Sequence, residues 1–442
     1  MKKNKKISKK QRVIWSGVVS VAIIVGGYLF NQFVFIKPWH YQPAQTRDKF
    51  RVALSVSPFS ATEFEEGYTY QIGDQTITTQ EALQQAFIDH GSTEMYTRIG
   101  TKRTPTAEDI TYGKPDTNAN VHTLDQGLAL AKLAAKLGVP LNPEIMGAYT
   151  YMDMFEQQAP DFSEYPELLA MQKGKSWQEL TLEEMLPILQ AYGTFVATQL
   201  LETGVTIENW NIGNEANFGF AGVNVGLETA VNPALADVPD WRKNILSILE
   251  TNWLKENVWA YNAKQMNAVK TGILQAYQEL GISSEKTKFS THIATVASTV
   301  SNVVSYFETL KENGFDVDVA GISYYPSAPS ARLDKIVMYK QIVTAINQQV
   351  NIPVFIAEFS YPSGDVSGPF SSWTKEVAGY PHTENGQSAF YQDIVHWGKD
   401  NGLIGIRYWA PDYSGWNSMS MFDYDGKTAT AKEILLDSVP VE

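Results

Sequence analysis

Eight short runs rich in β-branched and aromatic residues alternate with stretches of helical spacing along most of the chain, and this alternation constrains the fold more than any other feature. The strand candidates are Phe50 to Val56, Glu94 to Gly100, Val139 to Gly147, Val205 to Glu215, Lys288 to Ala294, Val317 to Pro326, Ile352 to Ser360 and Leu403 to Pro411. Between them lie amphipathic segments such as LDQGLALAKLAAKLG, whose last glycine suits a helix C-cap, and the long LTLEEMLPILQAYGTFVATQLLETG. A hairpin-like YTYQIGDQTIT follows the first strand, and an insertion precedes a helix expected from about Asp240 to Leu280. Eight βα units in about 390 residues fit a (β/α)8 TIM barrel with inserted loops. An open doubly wound sheet is the alternative, but no glycine-rich phosphate loop follows the first strand.

Seven of the first twelve residues are basic, so the rest of the chain is more acidic than the overall net charge of −13. Such a body repels phosphate backbones, which argues against nucleic-acid binding. The basic run has a topological meaning instead. From Val13 to Phe30 the chain carries no charge, and its apolar character continues to Ile36, long enough to cross a hydrocarbon layer of ~30 Å. Basic residues on the N-terminal flank place that end in the cytoplasm. The expected organisation is a basic cytoplasmic segment 1–12, a transmembrane signal anchor 13–36, a linker 37–48 and one extracellular domain 49–442. A cleaved signal peptide is the competing reading, but the flank FNQFVFIKPWH lacks a small-x-small cleavage pattern. With no cysteine, disulfides, thiol nucleophiles and thiolate metal sites are excluded.

In a barrel the working residues lie at the C-terminal ends of the strands. Glu215 ends strand four in WNIGNEANFGF, and Glu358 ends strand seven in PVFIAEFSYP. Strands four and seven lie on opposite sides of a barrel mouth, so these carboxyls can face each other as glycoside hydrolysis requires. Either glutamate alone could be a barrel-top ion pair; the pair at matched strand ends points to an acid and a nucleophile. Asn214 is placed to donate to a sugar hydroxyl, and Trp409 offers a flat face for a sugar ring. Trp210, further upstream on strand four, reads as core.

These motifs carry a resemblance. From about Val52 to the chain end the sequence resembles the endo-β-1,4-galactanases of glycoside hydrolase family 53, which are retaining barrels. WNIGNEANFGF is similar to the family's strand-four segment, GISYYPSAPS to its strand-six segment, AEFSYPSG to its strand-seven segment, YPHTENGQSAFYQDI to the stretch leading into helix seven, and HTLDQGLALAKLAAKLGV to helix two. The resemblance implies Glu215 as acid/base and Glu358 as nucleophile. It also implies Arg98 supporting the nucleophile's charge, His292 near the acid/base, and Tyr324 or Tyr325 touching the nucleophile. The chain departs from the family after strand three, where an HYSD-type segment is replaced by PEIMGAYTYMD. It departs again after strand two (RIGTKR) and after strand eight, where WEP becomes WAP with Ala410. These positions shape sugar subsites.

The expectation is therefore a membrane-anchored retaining endo-glycosidase acting on a polysaccharide, with galactan implied by resemblance. The anchor makes the cell's own surface polysaccharide an alternative substrate. A transglycosylase using the same glutamates, and a silent carbohydrate-binding barrel, remain as competing readings. No organic cofactor is called for, and the six histidines lack paired metal-ligand spacing. The structural calcium of some bacterial members is not placed by the loop DYSGWNSMSMFDYDG. Oligomeric state is not read from the sequence.

Overall fold

The computed structural model describes residues 50–104, 110–111, 114–115, 122–149, 152–154, 156–224, 251–295, 298–328 and 335–437. The basic segment, the apolar segment 13–36 and the linker expected before Phe50 lie outside the described residues. So do residues 225–250, including the expected start of the inserted helix. Among the described residues no helix is long and apolar enough to cross a membrane.

Eight parallel strands form one sheet: β1 (Arg51–Ala53), β2 (Met95–Ile99), β3 (Leu141–Ile145), β4 (Asn209–Ile212), β5 (Lys288–Ala294), β6 (Val319–Tyr324), β7 (Val354–Phe359) and β8 (Leu403–Tyr408). Each pairs with its neighbour in sequence from β2 to β8, and β8 returns to β1 through Val52↔Ile406. The remaining seam between β1 and β2 is closed by the Ala53↔Glu94 bridge and by hydroxyls. Thr93 N–H donates to the Val52 carbonyl at 2.7 Å, while Val52 N–H donates to Thr93 Oγ1 and Leu54 N–H to Ser92 Oγ. The result is the nearly closed eight-stranded barrel that the alternation predicted. Its strands are shorter than their apolar runs because the last residues of several runs turn into the mouth. β4 stops at Ile212, where Gly213 adopts φ 86°; a Cβ there would meet the Ala216 methyl at 2.9 Å.

The helices start where the sequence supplies caps. α1 (Gln80–Asp89), α2 (Leu124–Leu137), α3 (Leu182–Leu201), α5 (Val300–Glu312) and α7 (Glu384–Asp400) each follow a threonine whose hydroxyl accepts a first-turn N–H. Thr181 and Glu184 complete a capping box on α3, and Gly138 ends α2 at φ 70°. α4 (Ala260–Glu279), α6 (Lys335–Ala345) and the short α8 (Glu433–Leu436) join them, with shorter helices at Pro58–Glu65, Pro166–Met171 and Thr251–Leu254.

The predicted hairpin forms as Thr69–Ile72 and Gln75–Ile77. It is joined by an unpredicted second hairpin, Phe422–Asp425 and Thr428–Ala431, through parallel pairing of Thr428 with Thr69. The end of the loop considered for calcium, Phe422–Asp425, is thus strand, and Ser414–Met419 within it is a 3-10 turn. Asp412 in that loop accepts Ser57 N–H at 3.0 Å, and Asp423 faces Lys432 at 3.3 Å.

Alternation along the strands divides two environments. Outward residues pack under the helices: Trp210 donates to the Tyr277 hydroxyl on α4 at 3.2 Å, confirming it as core. Inward residues are largely polar. Asn142 and Glu144, Asn209 and Asn211, and Ser290 and His292 form a connected network filling the barrel.

Candidate active site

Glu358 reaches the barrel interior through a backbone irregularity. Phe355 and Ala357 cluster inside with Val319, so strict alternation would turn residue 358 outward. The ladder instead shifts, pairing Ile322 with Ile356 and then Ser323 with Glu358, which is a bulge that re-aims the glutamate. Its carboxylate, on a residue 5 % exposed, then meets two donors and a neighbouring imidazole. The Arg98 guanidinium on β2 bonds Oε1, the Tyr325 hydroxyl just after β6 donates to Oε2 at 2.5 Å, and His292 Nε2 on β5 lies 3.5 Å from Oε1. Arg98 is itself fixed: Nε lies 3.0 Å from Glu144, and the far nitrogen donates to Asn214 Oδ1 at 2.7 Å. Donors on both carboxylate oxygens stabilise the anion.

Glu215 sits in the opposite environment. It precedes the short 3-10 turn Ala216–Phe218 in the left-handed region, φ 45°, a conformation costly for a non-glycine residue and found where function over-determines the backbone. Its carboxyl is 2 % exposed and accepts Met154 N–H at 3.1 Å. Burial, and then the negative charge and hydrogen bond of Asp153, push its pKa well above the usual carboxylate range. One glutamate is thus met by a guanidinium and a phenol, whose bonds favour its charged form, and the other lies buried beside a second carboxyl, which favours its protonated form. A pair of carboxyls with divergent environments can serve as nucleophile and proton donor.

The other expected residues divide. Tyr325 meets Glu358, whereas Tyr324 faces away, stacked on Tyr339 of α6 at 4.3 Å between ring centres, and is corrected to the core. The one-residue step between them reverses the side-chain direction. Asn214 does not present a free amide to a sugar: its oxygen accepts from Arg98 and its nitrogen donates to the Met152 carbonyl. His292 lies beside Glu358 and Glu144, not beside Glu215, and burial followed by the charges of Arg98 and Arg407 holds it neutral. Its ring fits because Gly321 on β6 leaves space; a Cβ there would meet His292 Cβ at 2.3 Å. Trp409 lies half-buried at the mouth, 4.6 Å from Trp416 and beneath the Arg98 guanidinium at 5.6 Å. Trp373 and Phe370, from the loop after β7, extend this aromatic surface.

Four participants escaped the sequence reading. Glu144 is buried among Arg98, Arg407, Asn211 and His292; burial raises its pKa while the two guanidinium groups oppose that rise. Arg407 stacks over the Tyr96 ring at 3.5 Å. Asp153 adjoins Glu215, and His122 joins Ser55, Tyr96, Arg98 and Trp409 around a cavity of about 30 Å3, room for one water-sized group. The polar alternation N-x-E on β3, N-x-N on β4 and S-x-H on β5 was the available signal for Glu144. Among the described residues no group of three or more histidines and carboxylates is arranged to hold a metal ion.

Residues 165–437 match glycosyl hydrolase family 53. The endo-β-1,4-galactanase of Bacillus subtilis is 21% identical over 278 residues, covering 58% of this chain, and the chain spans about half (55%) of that relative's length. Among solved structures, the family 53 catalytic domain of Ignisphaera aggregans aligns over 91% of this chain and 99% of its own, with TM-score 0.64 and 17% identity. A structure from work on two fungal β-1,4-galactanases aligns over 87% of this chain and 97% of its own, with TM-score 0.61 and 16% identity. These structural alignments extend across the early strands that precede the matched family segment and carry the same barrel fold. The chain belongs to glycosyl hydrolase family 53.

Proposed function

We propose that this protein is a retaining endo-glycosidase that cleaves a β-galactan-like polysaccharide by double displacement. The observation that carries this reading is the contrast between the two mouth glutamates: Glu358 ringed by Arg98, Tyr325 and His292, and Glu215 buried beside another carboxyl. Glu358 attacks the anomeric carbon while Glu215 donates its proton to the departing oxygen. Water then displaces Glu358 with Glu215 accepting the proton. Trp409 and the neighbouring tryptophans offer stacking faces for sugar rings. Family membership and the galactanase relative support galactan as the polymer class.

The apolar segment from Val13 to Ile36 supports tethering at the cell membrane with the barrel outside. It also favours a second reading, in which the substrate is the cell's own surface polysaccharide. Ala410, where the family carries glutamate, has φ 44° beside Trp409 and alters the mouth in a way compatible with such a change. Incubating the full chain in mild detergent with β-1,4-galactan and with purified cell-wall polysaccharides, then following products by mass spectrometry and anomeric NMR, tests both. Galacto-oligosaccharides first appearing in the β configuration support the primary reading. Cleavage of the surface polymer alone selects the second, chain-lengthened products indicate transglycosylation, and no product from either polymer refutes a polysaccharide hydrolase of this class.

A further inference from the structure

The two-glutamate mechanism gives no task to Asp153. This residue lies on a small hairpin after β3, in which Met152 pairs with Gln157 and Asp153 with Glu156. The hairpin is fastened to the Glu215 turn. The Asn214 amide donates to the Met152 carbonyl, the Gln157 amide donates to the Asn214 carbonyl at 3.4 Å, and the Asn224 amide donates to the Gln157 carbonyl at 2.5 Å. Gln157 and Asn224 are both buried. Met154, at the tip, holds φ 32° and gives its N–H to Glu215 Oε2. A strained tip with such fastening places one carboxyl group against another with little freedom to withdraw. Asp153 hydrogen-bonds Glu215 there and lies within the fields of Arg98 and Tyr325.

The surroundings of Glu215 explain why this matters. Tyr325 after β6 is bound to Glu358, and Arg98 on β2 is bound to Glu358, Glu144 and Asn214. His292 on β5 is neutral, and Glu358 on β7 is the opposing carboxylate. Two side chains act on the Glu215 carboxyl: Asp153, whose charge and hydrogen bond raise its pKa, and Ser323 on β6, which opposes that rise.

We propose that Asp153 is a positioning residue for the catalytic proton: the two carboxyl groups share it in the resting enzyme, and the charge left on the pair after the first step draws it back in the second. This rests on Glu215 being the acid/base. In the first step the C1–O bond breaks, the Glu358 oxygen bonds to C1, and the shared proton goes to the leaving oxygen, leaving two facing carboxylates. In the second step a water oxygen bonds to C1, the ester to Glu358 breaks, and the water proton enters the Asp153–Glu215 pair. Like-charge repulsion in the emptied pair makes Glu215 the stronger base at the moment it must act as one.

The test is Asp153→Asn, which keeps size and hydrogen bonding while removing the charge, with Asp153→Glu as the conservative variant. The titration of Glu215 is read by 13C NMR of side-chain carboxyl-labelled full chain, assigned by Glu215→Gln, alongside the pH profile of kcat/KM. The proposal expects Asp153→Asn to move the Glu215 titration and the alkaline limb to lower pH together, and Asp153→Glu to restore both. An unmoved Glu215 titration overturns it, as does a uniform rate loss with an unchanged profile, which marks a purely structural hairpin. Because the NMR readout needs no substrate, wild-type inactivity on every polymer would defeat the proposed function while leaving the Asp153 result legible.

Discussion

Glu358 and Glu215 are the same residue type, buried to nearly the same degree at the same end of one barrel, yet their neighbours are opposed. Glu358 is reached by side chains from β2, β5 and the end of β6, all of them donors or neutral. Glu215 is reached by a backbone N–H and a second carboxyl from the β3 hairpin and by the Ser323 side chain of β6, with the Arg98 guanidinium committed elsewhere. Burial alone raises any carboxyl; what separates the two is which partner each strand end delivers. A fold that presents eight strand ends to one space can therefore place identical side chains in environments that favour opposite protonation states.

The most damaging way to break this contrast is Glu358→Ala, expected to cut kcat on polymer on the order of 10^5-fold, with added azide restoring turnover to a glycosyl azide of inverted configuration. Full activity in the variant would remove Glu358 from the mechanism. Glu215→Gln comes next, with a loss of ~10^2 to 10^4 on polymer and a much smaller loss on aryl glycosides that have good leaving groups. The same variant sharpens the pH argument. Since Glu215 titrates higher in the folded state than in the unfolded chain, its contribution to stability is greatest at low pH and is lost as pH rises through the folded value. Urea midpoints should thus decline less between acid and alkaline pH in Glu215→Gln than in the wild type.

Tyr325→Phe removes one charge-assisted bond from Glu358 and should lower kcat/KM by ~10- to 100-fold, whereas Tyr324→Phe leaves it near the wild-type value. Equal effects of the two would contradict the side-chain directions. The smallest effect is expected for Trp409→Ala, a rise in KM of about ten-fold or less with kcat retained, reflecting ~0.5–1.5 kcal/mol of stacking.

The fold was legible to the extent that it rests on local periodicity. Threonine caps, Gly138 and the amphipathic helices are short-range features, and the eight apolar runs all became barrel strands. Both mouth glutamates were readable because a strand end is a local property. The choice between Tyr324 and Tyr325 was not, although strand alternation alone placed one of them outward. Trp373 and Phe370 fall in an irregular loop with no period to place them.

The sequence by itself therefore determined the eightfold alternation, the positions at which strands meet the mouth, and the polar inward stripe of β3, β4 and β5. Tertiary structure decided what each mouth residue faces. The bond between Arg98 and Glu358 spans 260 positions, and that between Arg98 and Asn214 spans 116. The bulge that turns Glu358 inward exists only as a mismatch between neighbouring strands. Asp153 meets Glu215 because a two-residue ladder is fastened by amides from Asn214, Gln157 and Asn224. Periodicity is a property of adjacent residues, whereas the charge state of a buried carboxyl depends on groups that only closure of the barrel brings within a few ångströms.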